Sequence, residues 1–119
     1  MGATTMTDRA IVSKDSTIHD AYRDAVKQAE WDYGHDAYNG TISTTGGVKC
    51  KTSRLEAFIK EHGKSGGFSL WYDTAFGATE KWGDVWGARV PEHAMSEEER
   101  EVHEKNNTKR YIFAGWASC

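Results

Sequence analysis

Several features that would assign this chain to a particular class of protein are scarce or missing. The 119 residues include one proline and two cysteines, which have neither a Cys-x-x-Cys motif nor the spacing of a disulfide framework. No apolar run approaches the roughly 18 residues that cross a bilayer, and the first residues lack the basic and apolar regions of a signal peptide. We therefore expect a cytoplasmic protein with reduced thiols, in which Cys50 is a small core residue.

Charge of one sign is also lacking. The net charge is −3, and the acidic stretches 1–45 and 65–119 flank a basic stretch at 46–64. A nucleic-acid-binding domain has a strongly basic face, and a protein that mimics DNA has a far larger acidic excess, so neither is expected. The composition, 38% hydrophobic and 28% charged, is that of one folded domain, with residues 1–8 frayed.

Three Ser/Thr-x-x-Asp/Glu boxes predict helix starts at Thr17, Ser53 and Ser96. Gly34 is expected to end the first helix and Gly63 the second. The third, at 97–105, has Val102 as its apolar anchor and is predicted to be a surface excursion.

The first helix has a clear amphipathic pattern. Trp31 falls on its polar side, since it is separated by about 220° from Ile18 at 100° per residue. The residues of the predicted core-facing stripe are Ile18, Ala21, Tyr22, Ala25, Val26, Ala29 and Tyr33.

Short β-type runs alternate with these helices. The expected strands are 10–12, two runs within 41–51 that form a hairpin around a glycine pair, 68–72, 84–90 and 109–117. This order predicts an α+β fold with a mainly antiparallel sheet and two to three helices. A ferredoxin-like βαββαβ core with a C-terminal strand-helix-strand extension fits it.

Motifs for catalysis or metal binding are not found. No serine lies in a nucleophile elbow, no glycine-rich loop matches a dinucleotide fingerprint, and no histidine pair has metal-ligand spacing. We therefore expect neither metal nor cofactor, and solvated side chains at His19, His62 and His103. His35 and Asp36 are adjacent after the first helix, which leaves open a hydrolase that uses both.

A possible phosphate site lies in the predicted hairpin and the start of the second helix. Backbone N–H groups of a glycine-rich turn and a helix N-terminus could hold a phosphate against nearby cations. A plain hairpin with a solvated lysine face explains the same residues. They are Thr44, Thr45, Gly46, Gly47, Lys49, Lys51 and Arg54.

Five tryptophans are many for a chain of this length. Trp71 and Trp116 lie within predicted strands and are assigned to the core. Trp31 lies off its helix stripe, while Trp82 and Trp86 lie in a glycine-rich segment where a partner could approach the backbone. These three are the candidate protein-binding surface; the alternative is that the C-terminal excursion covers them.

Three segments carry a resemblance: Tyr33-Gly34-His35-Asp36, the run at 38–45 and the closing run at 110–117. In these pieces the chain resembles small orphan accessory proteins of phages and mobile elements. Such proteins often counter host defences, as anti-CRISPR inhibitors do, by covering a protein surface or by sequestering a signalling nucleotide. The resemblance implies a host protein as partner and the host cytoplasm as location.

Two main hypotheses of function follow. The first is a non-enzymatic binding protein that inhibits or modulates a host defence protein through the tryptophan surface. The second is a small-molecule module that holds a nucleotide or another phosphate ligand at the hairpin. In neither does the acidic run 97–104 have an assigned role, as a contact face or as a solubilising one.

Overall fold

The structure is a computed structural model that describes residues 3–33, 42, 45–79 and 83–118. Predictions that fall on Thr44, Trp82, the pair His35 and Asp36, the helix stop at Gly34 and the side chain of Tyr33 lie outside this description. In chain order the elements are β1 (Ala3–Ser13), α1 (Ile18–Tyr33), β2 (Gly47–Cys50), α2 (Thr52–Ala78), β3 (Asp84–Arg89), a 3-10 turn (Glu92–Ala94), α3 (Glu97–Asn106) and β4 (Thr108–Ser118).

The four strands form one mixed sheet in the order β1-β4-β3-β2. β4 is antiparallel to both of its neighbours, whereas β2 and β3 are parallel. The predicted α+β class and the mainly antiparallel sheet are confirmed, since two of the three strand pairs are antiparallel. The ferredoxin-like order is not confirmed, because a helix rather than a hairpin joins β2 to β3, and β1 lies at the edge of the sheet instead of inside it.

β1 is longer than the sequence pattern predicted. Residues 3–8 were expected to be frayed, yet Ala3 pairs with Ser118 and the ladder continues to Ser13 opposite Thr108. Alternate side chains of this strand, at Met6 and Ala10, are buried against α1. The strand predicted at 10–12 therefore extends through the threonines before it, with buried and exposed side chains in alternation.

α1 begins where its capping box predicted. The Thr17 hydroxyl accepts a hydrogen bond from the Asp20 N–H at 3.2 Å, and the Asp20 carboxylate accepts from the Thr17 N–H at 2.9 Å. The predicted stripe packs on one face of the sheet, with Ala21, Ala25 and Ala29 buried. Small residues on that stripe bring the helix close to Phe113, whose ring meets Tyr22 edge-on.

The predicted hairpin at 41–51 is wrong for the described residues. β2 pairs in parallel with β3, from Gly47 opposite Asp84 to Cys50 opposite Gly87. A parallel neighbour needs a crossover connection, which α2 supplies. Cys50 is exposed, so its assignment to the core is also wrong.

The predicted strand at 68–72 is wrong as well, because these residues belong to α2. Gly63 has φ 78° and ψ 176°, a conformation that breaks the helix into two arms, at 52–62 and 64–78. Gly63 therefore ends the first arm as predicted. The chain then resumes a helix, in which Trp71 and Ala75 are completely buried against the second face of the sheet.

The last two elements match their predicted positions. Ser96 and Glu99 form both bonds of a capping box at the start of α3. β4 is the central strand, bonded to β1 on one side and β3 on the other, and Phe113 and Ala114 within it have no exposed surface. No helix among the described residues is long and apolar enough to cross a membrane.

Candidate ligand-binding groove

The two faces of the sheet are covered unequally. α1 packs across one face, whereas α2 covers the other over β3 and β4 and leaves the outer side of β1 open. On this side Thr5, Thr7, Arg9 and Ile11 are exposed. A cavity of about 500 Å³ lies between β1, β4, the second arm of α2 and the segment around the 3-10 turn.

We call this cavity the α2–β1 groove. Its apolar lining is Phe68, Tyr72, Val90, Ala94, Met95 and Ile112, and its charged lining includes Arg9, Lys64, Glu99 and Arg110. A volume of this size with an apolar floor and a few charged groups is typical of small-molecule sites.

Local structure places these side chains on the groove. Lys64, Phe68 and Tyr72 follow one another at intervals of four, so they form one line along the second arm of α2. Arg9 projects from the open side of β1, since strand residues alternate between faces. Asp8 also lines the groove, although it is an even-numbered residue of β1 like Met6 and Ala10, which pack against α1 on the other face.

Glu99, one of the two acidic groups that line the groove, is already neutralised. Glu99 accepts a hydrogen bond from Arg110 Nη1 at 2.6 Å and from the Ser96 N–H at 3.3 Å. The bond from the Ser96 backbone, followed by that from Arg110, holds the pKa of Glu99 below its ordinary value. Nε of Arg110 is buried and has no hydrogen-bond partner in the described part of the chain.

Two further cations line the groove. Arg9 on β1 and Lys64 on α2 form no salt bridge with another described residue. The carboxylate of Asp8 is engaged by the backbone N–H of Arg9 at 2.7 Å, and burial raises the pKa of Asp8. Within the described part of the chain, the groove therefore has two cations without a salt bridge beside its apolar side chains, although Asp8 attracts Arg9, and this arrangement favours an anion.

The predicted tryptophan surface is only partly realised. Trp31 is 87% exposed, as its position on α1 predicted. Trp86 is 5% exposed, because its ring lies 6.0 Å from that of Trp71 beneath the first arm of α2. Its predicted exposure is wrong: glycines flanked it in the sequence, but Gly87 is itself buried in β3.

Four of the residues predicted to bind phosphate have other partners. The Thr45 hydroxyl donates to the Ile42 carbonyl and accepts from the Tyr22 hydroxyl, both at 2.6 Å, and the Gly46 N–H donates to the Gly83 carbonyl. Lys51 Nζ and the Arg54 guanidinium lie over the Trp86 ring, at 5.3 and 5.6 Å from its centroid.

Lys49 and Gly47 belong to β2, whose parallel pairing with β3 replaces the turn that the phosphate site required. Lys51 and Arg54, two of the three cations expected to bind phosphate, cover the tryptophan that was expected to be exposed.

His103 was predicted to be solvated and is instead buried, at 7% exposure. His19 is exposed and His62 is half-exposed, as expected, and His93 is exposed as well. No group of three or more histidine, cysteine or acidic side chains among the described residues is placed to hold a metal ion.

The groove was not predicted, because the glycine-rich run 63–67 resembles a flexible connector and 68–72 was expected to be a strand, which separated Lys64 from Phe68 and Tyr72. Their spacing was the available signal. Phe68, Trp71, Tyr72, Ala75 and Phe76 recur at the intervals of a helix, which places the lysine on the same line.

Comparison with protein-family models, curated proteins and solved structures finds no match to this chain.

Proposed function

We propose that this protein is a non-enzymatic binding protein whose ligand is an anion with an apolar body, held in the α2–β1 groove. The observation that supports it is the combination of two cations, Arg9 and Lys64, which form no salt bridge with another described residue, with a floor that includes Phe68 and Tyr72. The anionic group would lie between the cations, and the apolar body would cover the aromatic floor.

Phosphate-bearing ligands fall within this class. The nucleotide hypothesis therefore moves to the groove from the hairpin residues, since Thr45, Gly46, Lys51 and Arg54 have other partners. A planar base would meet Phe68 and Tyr72, and its phosphate would meet Arg9 or Lys64.

A fluorescence titration with 8-anilinonaphthalene-1-sulfonate, an anion with an aromatic body, tests the proposal. We expect Lys64→Glu and Arg9→Glu each to weaken binding about tenfold, because each replaces a cation that would contact the sulfonate. A tenfold loss corresponds to about 1.4 kcal/mol. Lys27→Glu is the matched control, because Lys27 is exposed on α1 at the other face of the sheet.

The same variants are then titrated with adenosine monophosphate by calorimetry, which separates a nucleotide site from a general apolar one. Near-ultraviolet circular dichroism checks that each variant keeps its tertiary packing. If the dye binds all three variants as it binds the original protein, or not at all, the groove is not an anion site.

A second candidate function is contact with a host protein through Trp31. The supporting observation is that Trp31 is the most exposed large hydrophobic residue among those described, whereas Ile11 and Val102 are 53% and 55% exposed. Inhibition of a host defence protein in the cytoplasm remains our proposal for what such a contact would do.

A pull-down from host lysate compares Trp31→Ala with Val102→Ala, a change at an exposed apolar side chain on α3. Loss of one partner band in the first variant alone supports the contact. Identical bands in both variants rule it out.

A further inference from the structure

The outer edge of β1 has few of the features that usually protect an edge strand. Its ladder with β4 runs through eleven residue pairs without a bulge, from Ala3 opposite Ser118 to Ser13 opposite Thr108. It contains no proline, and in the part of the chain that the structure describes β1 pairs with β4 alone. The other edge strand, β2, is four residues long. Long, regular edges are templates for another strand.

The hydrogen bonds of the sheet show which groups face this edge. The Lys14 N–H donates to the Asn107 carbonyl in the β1–β4 register, so the even-numbered residues of β1 bond to β4. The Val90 N–H donates to the Arg110 carbonyl, so the even-numbered residues of β4 bond to β3 and the odd-numbered ones bond to β1. Odd-numbered residues of β1 therefore direct their N–H and C=O groups outward.

Two of these outward groups are occupied by neighbouring side chains. The Asp8 carboxylate accepts from the Arg9 N–H at 2.7 Å, and the Thr4 hydroxyl donates to the Thr5 carbonyl at 3.4 Å. Thr7 and Ile11 have no such cover from a described side chain.

We propose that this edge pairs with β1 of a second copy of the chain, in an antiparallel register centred on Thr7. That register places Thr5 opposite Arg9 of the second copy and Ala3 opposite its Ile11, over residues 3–11. No like charges face each other in it, and the exposed Ile11 side chain gains a neighbour.

The competing registers explain this choice. A two-fold axis at Asp8 would set two carboxylates opposite each other, and one at Arg9 would oppose two guanidinium groups. Axes at Met6 or Ala10 avoid like charges but shorten the paired segment to 3–9 or 7–13. Thr7 gives the longest register without repulsion.

The side chain of Asp8 opposes this association, because the Arg9 N–H that it occupies would bond to the Thr5 carbonyl of the second copy. The dimer is therefore weak and depends on concentration. Asp8→Ala frees the N–H and removes a charge from the edge, so we expect the dimer of this variant to be at least tenfold tighter.

Analytical ultracentrifugation from micromolar to millimolar concentration tests the interface. Thr5→Pro removes an outward N–H and leaves the even-numbered bonds to β4 in place, so it should remain monomeric. Thr5→Val keeps that N–H and should dimerise like the original protein. Thermal melts confirm that both variants fold.

Amide hydrogen exchange locates the interface. Exchange at Thr7 and Ile11 should slow as concentration rises, whereas exchange at Ala10 should not change. A monomer at every concentration, or a dimer that survives Thr5→Pro, overturns the proposal. Thr5 is outside the α2–β1 groove, so failure of anion binding leaves this outcome unaffected.

Discussion

At the residue scale, His103 is the side chain that fixes α3 to the sheet. Its ring is buried and its Nδ1 lies 2.8 Å from the Thr108 hydroxyl, while the neighbouring Val102 points to solvent. Burial lowers the pKa of His103, and so do the positive charges of Arg110 and Lys14, against an opposing effect from Glu99. The folded protein therefore favours the neutral imidazole.

This predicts a loss of stability in mild acid. Below the ordinary histidine pKa of about 6.5, the unfolded chain binds a proton that the folded protein resists, so the free energy of unfolding falls as the pH falls. Urea unfolding at pH 7 and at pH 5 measures the change. His103→Gln should flatten the dependence, whereas His93→Gln, at an exposed site, should keep it. An unchanged slope in His103→Gln would contradict this assignment.

The sequence could predict Trp31 but not His103 or Trp86. Trp31 follows from helical geometry alone, since the stripe of α1 fixes which side faces solvent. Trp86 depends on contact with the first arm of α2, which lies far back in the chain. His103 bonds to Thr108, which is close in sequence but belongs to β4, so the helical pattern of α3 does not indicate the contact. A local pattern carries no information about such partners.

At the scale of elements, the kink of α2 decides the shape of the second layer. The positive φ of Gly63 turns the chain so that the two arms pack closely. A Cβ on Gly67 would lie 2.6 Å from the Ile59 Cα. The glycines between 63 and 67 therefore form a tight helix crossing, which explains why their composition resembled a linker.

Two glycines of α2 provide a matched test of this kink. Gly63 and Gly77 both have open space where a Cβ would lie, but a positive φ is found at Gly63 and not at Gly77. We expect Gly63→Ala to lower the free energy of unfolding by about 1–2 kcal/mol through backbone strain. Gly77→Ala should raise it by up to about 1 kcal/mol through helix propensity. Chemical denaturation of both variants measures this, and equal effects would rule out the strain.

Capping boxes predicted two of the three helix starts from local chemistry. The boxes at Thr17 and Ser96 form, because each side chain bonds within its own turn. The third does not form at Ser53, since α2 begins one residue earlier at Thr52. The Thr52 hydroxyl accepts from the Arg89 N–H at 3.0 Å. This bond joins α2 to β3, and no local sequence motif predicts it.

At the scale of the whole molecule, the sheet order is the feature that the sequence predicted least well. β1, β2 and β3 all run in one direction, and β4 lies between β1 and β3 in the other. The strands 84–90 and 109–117 were predicted almost at their observed bounds. Their neighbours were not, because pairing depends on the helices between them, one of which was taken for a strand.

Hydrogen exchange should follow this layout. The amides of Phe113 and Ala114, in the central strand, should exchange last, and those at the end of β2 first. Within β1 of the dilute monomer, Thr7 and Ile11 should exchange faster than Ala10 and Val12, because only the even-numbered amides bond to β4. Uniform protection along β1 would contradict the alternation.

The pairing of β1 with β4 also constrains how the protein folds. These strands are joined through eleven residue pairs although almost the whole described chain lies between them, so closing this loop has a large entropic cost and should slow folding. During synthesis β1 leaves the ribosome long before β4 exists. Both of its edges are then unpaired, and Asp8 is one of the few groups on the strand that could discourage premature association with another nascent chain.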